Sequence, residues 1–135
     1  MIIRVEHIGI AIKEMGKANQ LFESLLGIKN YKMEEVKSES VTTSFFKTGE
    51  TKIELLEATD ETSPISKFIA KKGEGIHHIA FETDDIIAEM NRLKSLGFEL
   101  LSDVPKKGAD NKLICFLHPR STNGVLVELC QEIKS

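Results

Sequence analysis

Two histidines and two glutamates stand in this 135-residue sequence at intervals that repeat: His7 and Glu54 in the first half, His78 and Glu128 in the second. The histidines are 71 residues apart and the glutamates 74, while Gly27 and Gly97, each closing a leucine-ended helical pattern, are 70 apart. Imidazole nitrogens and carboxylate oxygens make a mixed donor set suited to cobalt, nickel, zinc, manganese or iron(II), unlike the thiolate-lined structural sites. Four protein donors leave positions open on a five- or six-coordinate ion. An ion of this kind acts as a Lewis acid when negative charge develops on a coordinated carbonyl or enolate oxygen. The reaction class this suits is proton abstraction next to a carbonyl, with the enolate or enediolate held on the metal.

The elements that position these residues follow from periodicity. Residues 2–12 alternate as a strand, with His7, Gly9 and Ala11 on one face and Ile8, Ile10 and Ile12 on the other. From Glu14 to Leu26 the apolar positions Ala18, Leu21, Phe22, Leu25 and Leu26 recur at helical spacing, and Gly27 stops the helix. Residues 28–37 read as an exposed, charged strand. Val41–Lys47 is a strand, and Thr48-Gly49-Glu50 turns a hairpin into Thr51–Glu57, which carries Glu54. After a polar linker, Ser63 caps a short helix beginning at Pro64, with the apolar stripe Ile65, Phe68 and Ile69 and the cations Lys71 and Lys72 at its end.

The pattern then restarts. Residues 76–83 form a strand on which His78 shares a face with Ala80 and Glu82, while His77 shares the other with Ile79 and Phe81. The small neighbours of His7 and His78 leave room for a cleft, which makes His78 rather than His77 the cleft residue. Asp84 or Asp85 caps a helix over 86–96 with a core face of Ile86, Met90, Leu93 and Leu96. Phe98–Leu101 reads as a strand and Lys106–Asp110 as a mobile loop, and Leu113–Leu117 and Val125–Cys130 are the last strands. The expected fold is α+β: two βαβββ modules, about 2–58 and about 75–131, forming a curled, cleft-enclosing sheet in a single domain, 1–135.

Composition bounds the function. With 41% hydrophobic and 29% charged residues the chain is of ordinary globular type, and a net charge of −3 argues against nucleic acid as a partner. No apolar run approaches the ~20 residues of a membrane span, and Arg4, Glu6 and His7 interrupt the opening strand where a signal peptide would be apolar. Cys115 and Cys130 lie in apolar strands and read as buried free thiols, so a cytoplasmic location is expected, although a disulfide stays open. Bland readings compete residue by residue. A strand histidine is commonly structural, which is the reading for His77 and His118, and either glutamate alone could face solvent. The joint repetition of two residue types favours the metal reading for the set of four. Glu34-Glu35 and Lys71-Lys72 read as solvated surface.

Three stretches, Ser63–Ile69, Gly73-Glu74-Gly75-Ile76-His77-His78-Ile79-Ala80-Phe81 and Phe116–Leu129, carry a resemblance to the vicinal oxygen chelate superfamily, or glyoxalase fold. Within it the chain resembles the methylmalonyl-CoA epimerase branch over essentially its whole length. The resemblance implies metal ligands at His7, Glu54, His78 and Glu128. It implies a divalent ion, cobalt(II) first, with zinc, nickel, manganese or magnesium as alternatives, and a homodimer acting on an acyl-CoA. The implied reaction interconverts (2S)- and (2R)-methylmalonyl-CoA through a metal-stabilised enolate, with Glu128 as both ligand and proton carrier.

One position departs from that branch. Some members carry a second acid/base glutamate where this chain has Thr43, and a threonine is no general base near neutral pH. Asp103, or Glu128 alone with a water, is left to serve, and a different substrate is the third option. Arg120, Ser121, Lys106 and Lys107 are candidates for the substrate carboxylate or the CoA phosphates. The alternatives are glyoxalase I chemistry on a glutathione hemithioacetal with the same ligands, or a metal-free binding member of the fold. A scaffolding role gives no reason for the repeated His/Glu pattern.

Overall fold

The computed structural model describes residues 1–134. The chain forms two compact units: an N-terminal unit, His7–His77, and a C-terminal unit made of Met1–Glu6 and the chain from His78 onward. In order, the elements are β1 (Ile2–Ala11), α1 (Met15–Leu26), β2 (Lys32–Val36), β3 (Val41–Thr48), β4 (Thr51–Ala58), α2 (Pro64–Lys72), β5 (Gly75–Thr83), α3 (Ile86–Ser95), β6 (Lys106–Lys107), β7 (Lys112–Leu117) and β8 (Val127–Glu132).

In the N-terminal unit the strands lie in the order β2-β3-β4-β1. The β1/β4 pair is parallel and the others are antiparallel. The helical stripe is narrower than the sequence pattern. Ala18, Phe22 and Leu26 pack with Met15 against Ile12, Phe46, Ile53 and Leu55, whereas Leu21 and Leu25 are 59% and 69% exposed. At 100° per residue, 21 and 25 fall off the 15–18–22–26 line. Gly27, at φ 71°, closes α1 by donating its N–H to the Glu23 carbonyl. Ser63 caps α2 as expected, its hydroxyl accepting from the Ile65 N–H at 3.1 Å. The Ile65, Phe68 and Ile69 stripe then packs on Ala11, Val41 and Leu56. Ala11 therefore makes room for a helix, not for open space.

The C-terminal unit repeats the order as β5-β8-β7-β6, with β5/β8 parallel and the others antiparallel. Asp85 rather than Asp84 caps α3, accepting from the Ala88 N–H at 3.1 Å. Ile86, Met90 and Leu93 pack with Cys115, Leu117 and Leu129, but Leu96 lies just past the helix and is 63% exposed.

The strand expected over Phe98–Leu101 is only a single bridge from Leu100 to Leu117. Phe98 and Leu100 spend their apolar surface on the α3 core instead. The strand that completes the βαβββ order is β6, in the stretch expected to be a loop. Lys106 and Lys107 pair with Ile114 and Leu113, and Gly108 donates to the Lys112 carbonyl at 2.8 Å. A Cβ on Gly108 would meet the Ile114 side chain at 2.8 Å, so a larger residue there would make Ile114 shift. Both cysteines are buried and free. Among the described residues no helix is long and apolar enough to cross a membrane.

Candidate functional site

Each unit builds the same local device. In the N-terminal unit the parallel register sets Gly9 opposite Glu54, and His7 stands two residues before Gly9 on the same face of β1. The His7 Nδ1 atom lies 3.1 Å from Glu54 Oε2. In the C-terminal unit Ala80 stands opposite Glu128, and His78 is two residues before Ala80. The His78 Nε2 atom lies 3.1 Å from Glu128 Oε1. All four residues are buried at 5% exposure, so neither glutamate faces solvent. In each unit the flanking residues of the glutamate strand turn the other way: Leu55 and Ile53 toward α1, Leu129 and Val127 toward α3. Strand alternation alone thus separates a carboxylate from the helix-facing core.

Aromatic rings back both carboxylates. Phe45 is opposite Glu54, and Phe116 is opposite Glu128. Phe116 also meets the His78 ring edge-on at 5.7 Å between centroids, which limits the imidazole's rotation. The donor chemistry in each couple fits a borderline divalent cation: one imidazole nitrogen and one carboxylate oxygen, buried together. Two donors at right angles, each about 2.1 Å from an ion, stand about 3 Å apart. The 3.1 Å spacing in each couple is of that size.

The remaining sequence candidates take varied positions. Thr43, where a second base would stand, is 2% exposed on β3. Asp103 is exposed in the irregular stretch before β6. The Arg120 guanidinium is forked onto Glu99, at 2.8 and 3.0 Å, and holds that carboxyl below the usual carboxylate range. Ser121 Oγ accepts from the Glu99 N–H at 2.9 Å, so both residues brace the Glu99 segment. Lys106 and Lys107 are exposed on β6. The two remaining histidines are structural, as their sequence context indicates. His77 packs edge-on against Phe68, and His118 Nδ1 accepts from the Arg120 N–H at 3.1 Å as the cap of a short turn.

Three buried groups escaped the sequence reading. Glu6 and Lys112 are 3% and 6% exposed, and both act on the thiol of Cys130. Burial pushes that thiol far above its ordinary value, the charges of Glu128 and Glu6 push the same way, and Lys112 opposes them. Glu89, 4% exposed on α3, is held by Arg92 at 2.8 Å. Nothing in the local pattern singled these out, because a charged residue in an alternating strand or on a helix normally marks the solvent face.

Comparisons with known proteins agree with this arrangement. Residues 6–116 match the model of the Glyoxalase/Bleomycin resistance protein/Dioxygenase superfamily. The ethylmalonyl-CoA/methylmalonyl-CoA epimerase of Cereibacter sphaeroides is 41% identical, over 97% of this chain and 99% of that protein. The mitochondrial methylmalonyl-CoA epimerase of Homo sapiens is 38% identical over 95% of this chain and 73% of its own length. Among solved structures, a variant methylmalonyl-CoA epimerase of Streptomyces coelicolor in complex with 2-nitronate-propionyl-CoA superposes with a TM-score of 0.95. It is 33% identical and covers 99% of this chain and 100% of that one. Two βαβββ modules with a buried His–Glu couple in each, together with these likenesses, establish that the chain belongs to the glyoxalase superfamily and, within it, to the methylmalonyl-CoA epimerase family.

Proposed function

We propose that this chain interconverts (2S)- and (2R)-methylmalonyl-CoA, and that His7, Glu54, His78 and Glu128 together hold one divalent cation, cobalt(II) first. The observation that carries the reading is the pair of equivalent couples, each an imidazole and a carboxylate at 3.1 Å and each buried, in a member of the epimerase family. A cation held there supplies Lewis acidity that lowers the cost of negative charge on the thioester oxygen.

The two epimers differ only at C2, so one proton must leave one face of that carbon and another must arrive on the opposite face. Glu128 takes the first. Its carboxylate has two oxygens, one to serve as a ligand and one to accept the proton, and it stands opposite Phe116 across the strand pair. Thr43, at the position some family members fill with a glutamate, cannot hold a proton, so the returning hydrogen is taken to come from solvent.

For the rest of the substrate, the exposed cations Lys106 and Lys107 on β6 are assigned to the CoA phosphates. Arg120 and Ser121 would join them by trading Glu99 for a phosphate. On this reading the two units work as one domain. The protein is read as a homodimer and as cytoplasmic, the latter in keeping with its buried free thiols.

The test is isotopic. Metal-loaded protein incubated with methylmalonyl-CoA in deuterated water is expected to place deuterium at C2 as the epimers equilibrate. Absence of exchange, with turnover of the methylglyoxal–glutathione adduct, would replace the epimerase by a lyase.

A further inference from the structure

The C-terminal unit carries a buried cation outside the His78–Glu128 couple. Lys112 opens β7 and is 6% exposed. Lysine is almost never buried this deeply without an anion beside it, because an ammonium taken out of water needs a counter-charge. Among the described residues no hydrogen bond or ion pair reaches the Lys112 ammonium. Its cross-strand neighbour Glu132 is unbonded to it as well. No side-chain nitrogen or oxygen among them is both sealed from solvent and unpartnered, so the Lys112 ammonium keeps an accessible side.

The register says where that cation stands. Lys112, Ile114 and Phe116 lie opposite Glu132, Cys130 and Glu128, so Lys112 shares a face with Ile114, Cys130 and Glu128. Ile114, Cys130 and Ala80 pack together on that face as an apolar strip. At one end stands the His78–Glu128 couple and at the other the lysine, four strand positions or about 13 Å away along the backbone, less the reach of a long side chain. The lysine's charge is felt at the Cys130 thiol, in the middle of the strip. The other charges felt there are acidic: Glu82 is paired with Arg4 at 3.6 Å, and Glu6 has a partner of its own.

We propose that Lys112 binds the free carboxylate of the acyl group and so selects malonyl-type thioesters over simple acyl-CoAs. The inference rests on the epimerase reading and adds a specificity residue to it. The acyl carbon that gives up its proton carries a methyl group, the thioester and a carboxylate, and the carboxylate is the anion nearest the reacting carbon. A lone buried cation on the face of the proton-accepting glutamate matches that anion in charge. A lysine that merely stretches its tip to water along an apolar face is the competing account, and it predicts no effect on acyl selectivity.

The experiment compares binding of methylmalonyl-CoA and propionyl-CoA, which differ by the carboxylate, to metal-loaded protein by calorimetry. Wild type is expected to prefer methylmalonyl-CoA by roughly 10- to 100-fold, the weight of one charge-assisted hydrogen bond. Lys112→Gln is expected to erase that preference while leaving the Kd for propionyl-CoA unchanged, and Lys112→Arg to restore part of it. Should glutamine unfold the protein, Lys112→Met keeps the apolar stem packed, and the same results are required of it. An undiminished preference in the variant overturns the assignment, and so does an equal loss of both ligands. Wild-type protein that epimerises methylmalonyl-CoA while the variant discriminates normally removes only Lys112. Wild type that turns over no methylmalonyl-CoA removes the epimerase reading as well.

Discussion

The two units solve the same local problem and then diverge. Both put a histidine two residues before the position opposite a glutamate on a parallel neighbour, and both bury the couple at 3.1 Å. Beyond the couple they differ in what occupies the same sheet face. In the N-terminal unit α2 covers Ala11, Val41 and Leu56 with Ile65, and the surface is apolar. In the C-terminal unit the corresponding stretch carries Lys112, Cys130 and Glu82, and the last element to join the sheet is a two-residue strand closed by Gly108. Repetition explains the ligand pairs. Under the proposed function, the divergence would let a symmetric device serve an asymmetric substrate, with proton transfer and charge assigned to the C-terminal unit.

The glutamates are where this comparison can be broken most severely. Glu128→Gln is expected to lower turnover by about a thousandfold, within the usual weight of a general base, because an amide can still ligate but cannot take a proton. Glu54→Gln keeps an oxygen donor and loses no proton carrier, so turnover is expected to stay within about tenfold of wild type. Steady-state kinetics on the two variants, with metal content measured in each, separates the roles. Equal losses would mean that the carboxylates act alike and that Glu128 is a ligand only.

A smaller effect sharpens the contrast in buried charge. The Cys130 thiol is raised in the folded protein by burial and by Glu128 and Glu6. A raised value in the folded state means that the unfolded chain loses its proton first as pH climbs. The thiol's contribution is therefore intact below its ordinary value of 9.0 and is lost above it. Denaturant unfolding is expected to show stability falling by up to about 1.4 kcal/mol per pH unit above that point. The fall should be shallower in Cys130→Ala, with the buried Cys115 thiol, also raised, accounting for part of the remainder. An identical alkaline slope in the two proteins would show that Cys130 is not held in its neutral form.

Much of this arrangement was legible in the sequence because it rests on short-range rules. The repeat, the His78 face, the glycine stop at Gly27 and the Ser63 cap all follow from periodicity and from capping chemistry. What was hidden depends on tertiary company. Leu21, Leu25 and Leu96 match an apolar pattern yet stay exposed, since helical spacing bounds a core face without saying how wide the facing sheet is. Phe98–Leu101 has strand composition, but Phe98 and Leu100 pack on the α3 core, while Lys106-Lys107 looks like loop yet pairs with Ile114 and Leu113. Lys112 and Glu6 are concealed by their type. A charge in a strand reads as surface until the opposite strand is known.

The central claim is that the two couples serve a single ion. The most direct measurement is anomalous diffraction from crystals of cobalt-loaded protein. The account predicts one cobalt peak per chain, bonded to a nitrogen of His7, a nitrogen of His78 and an oxygen each of Glu54 and Glu128. A peak bonded to one couple alone, or no peak at either, would contradict it.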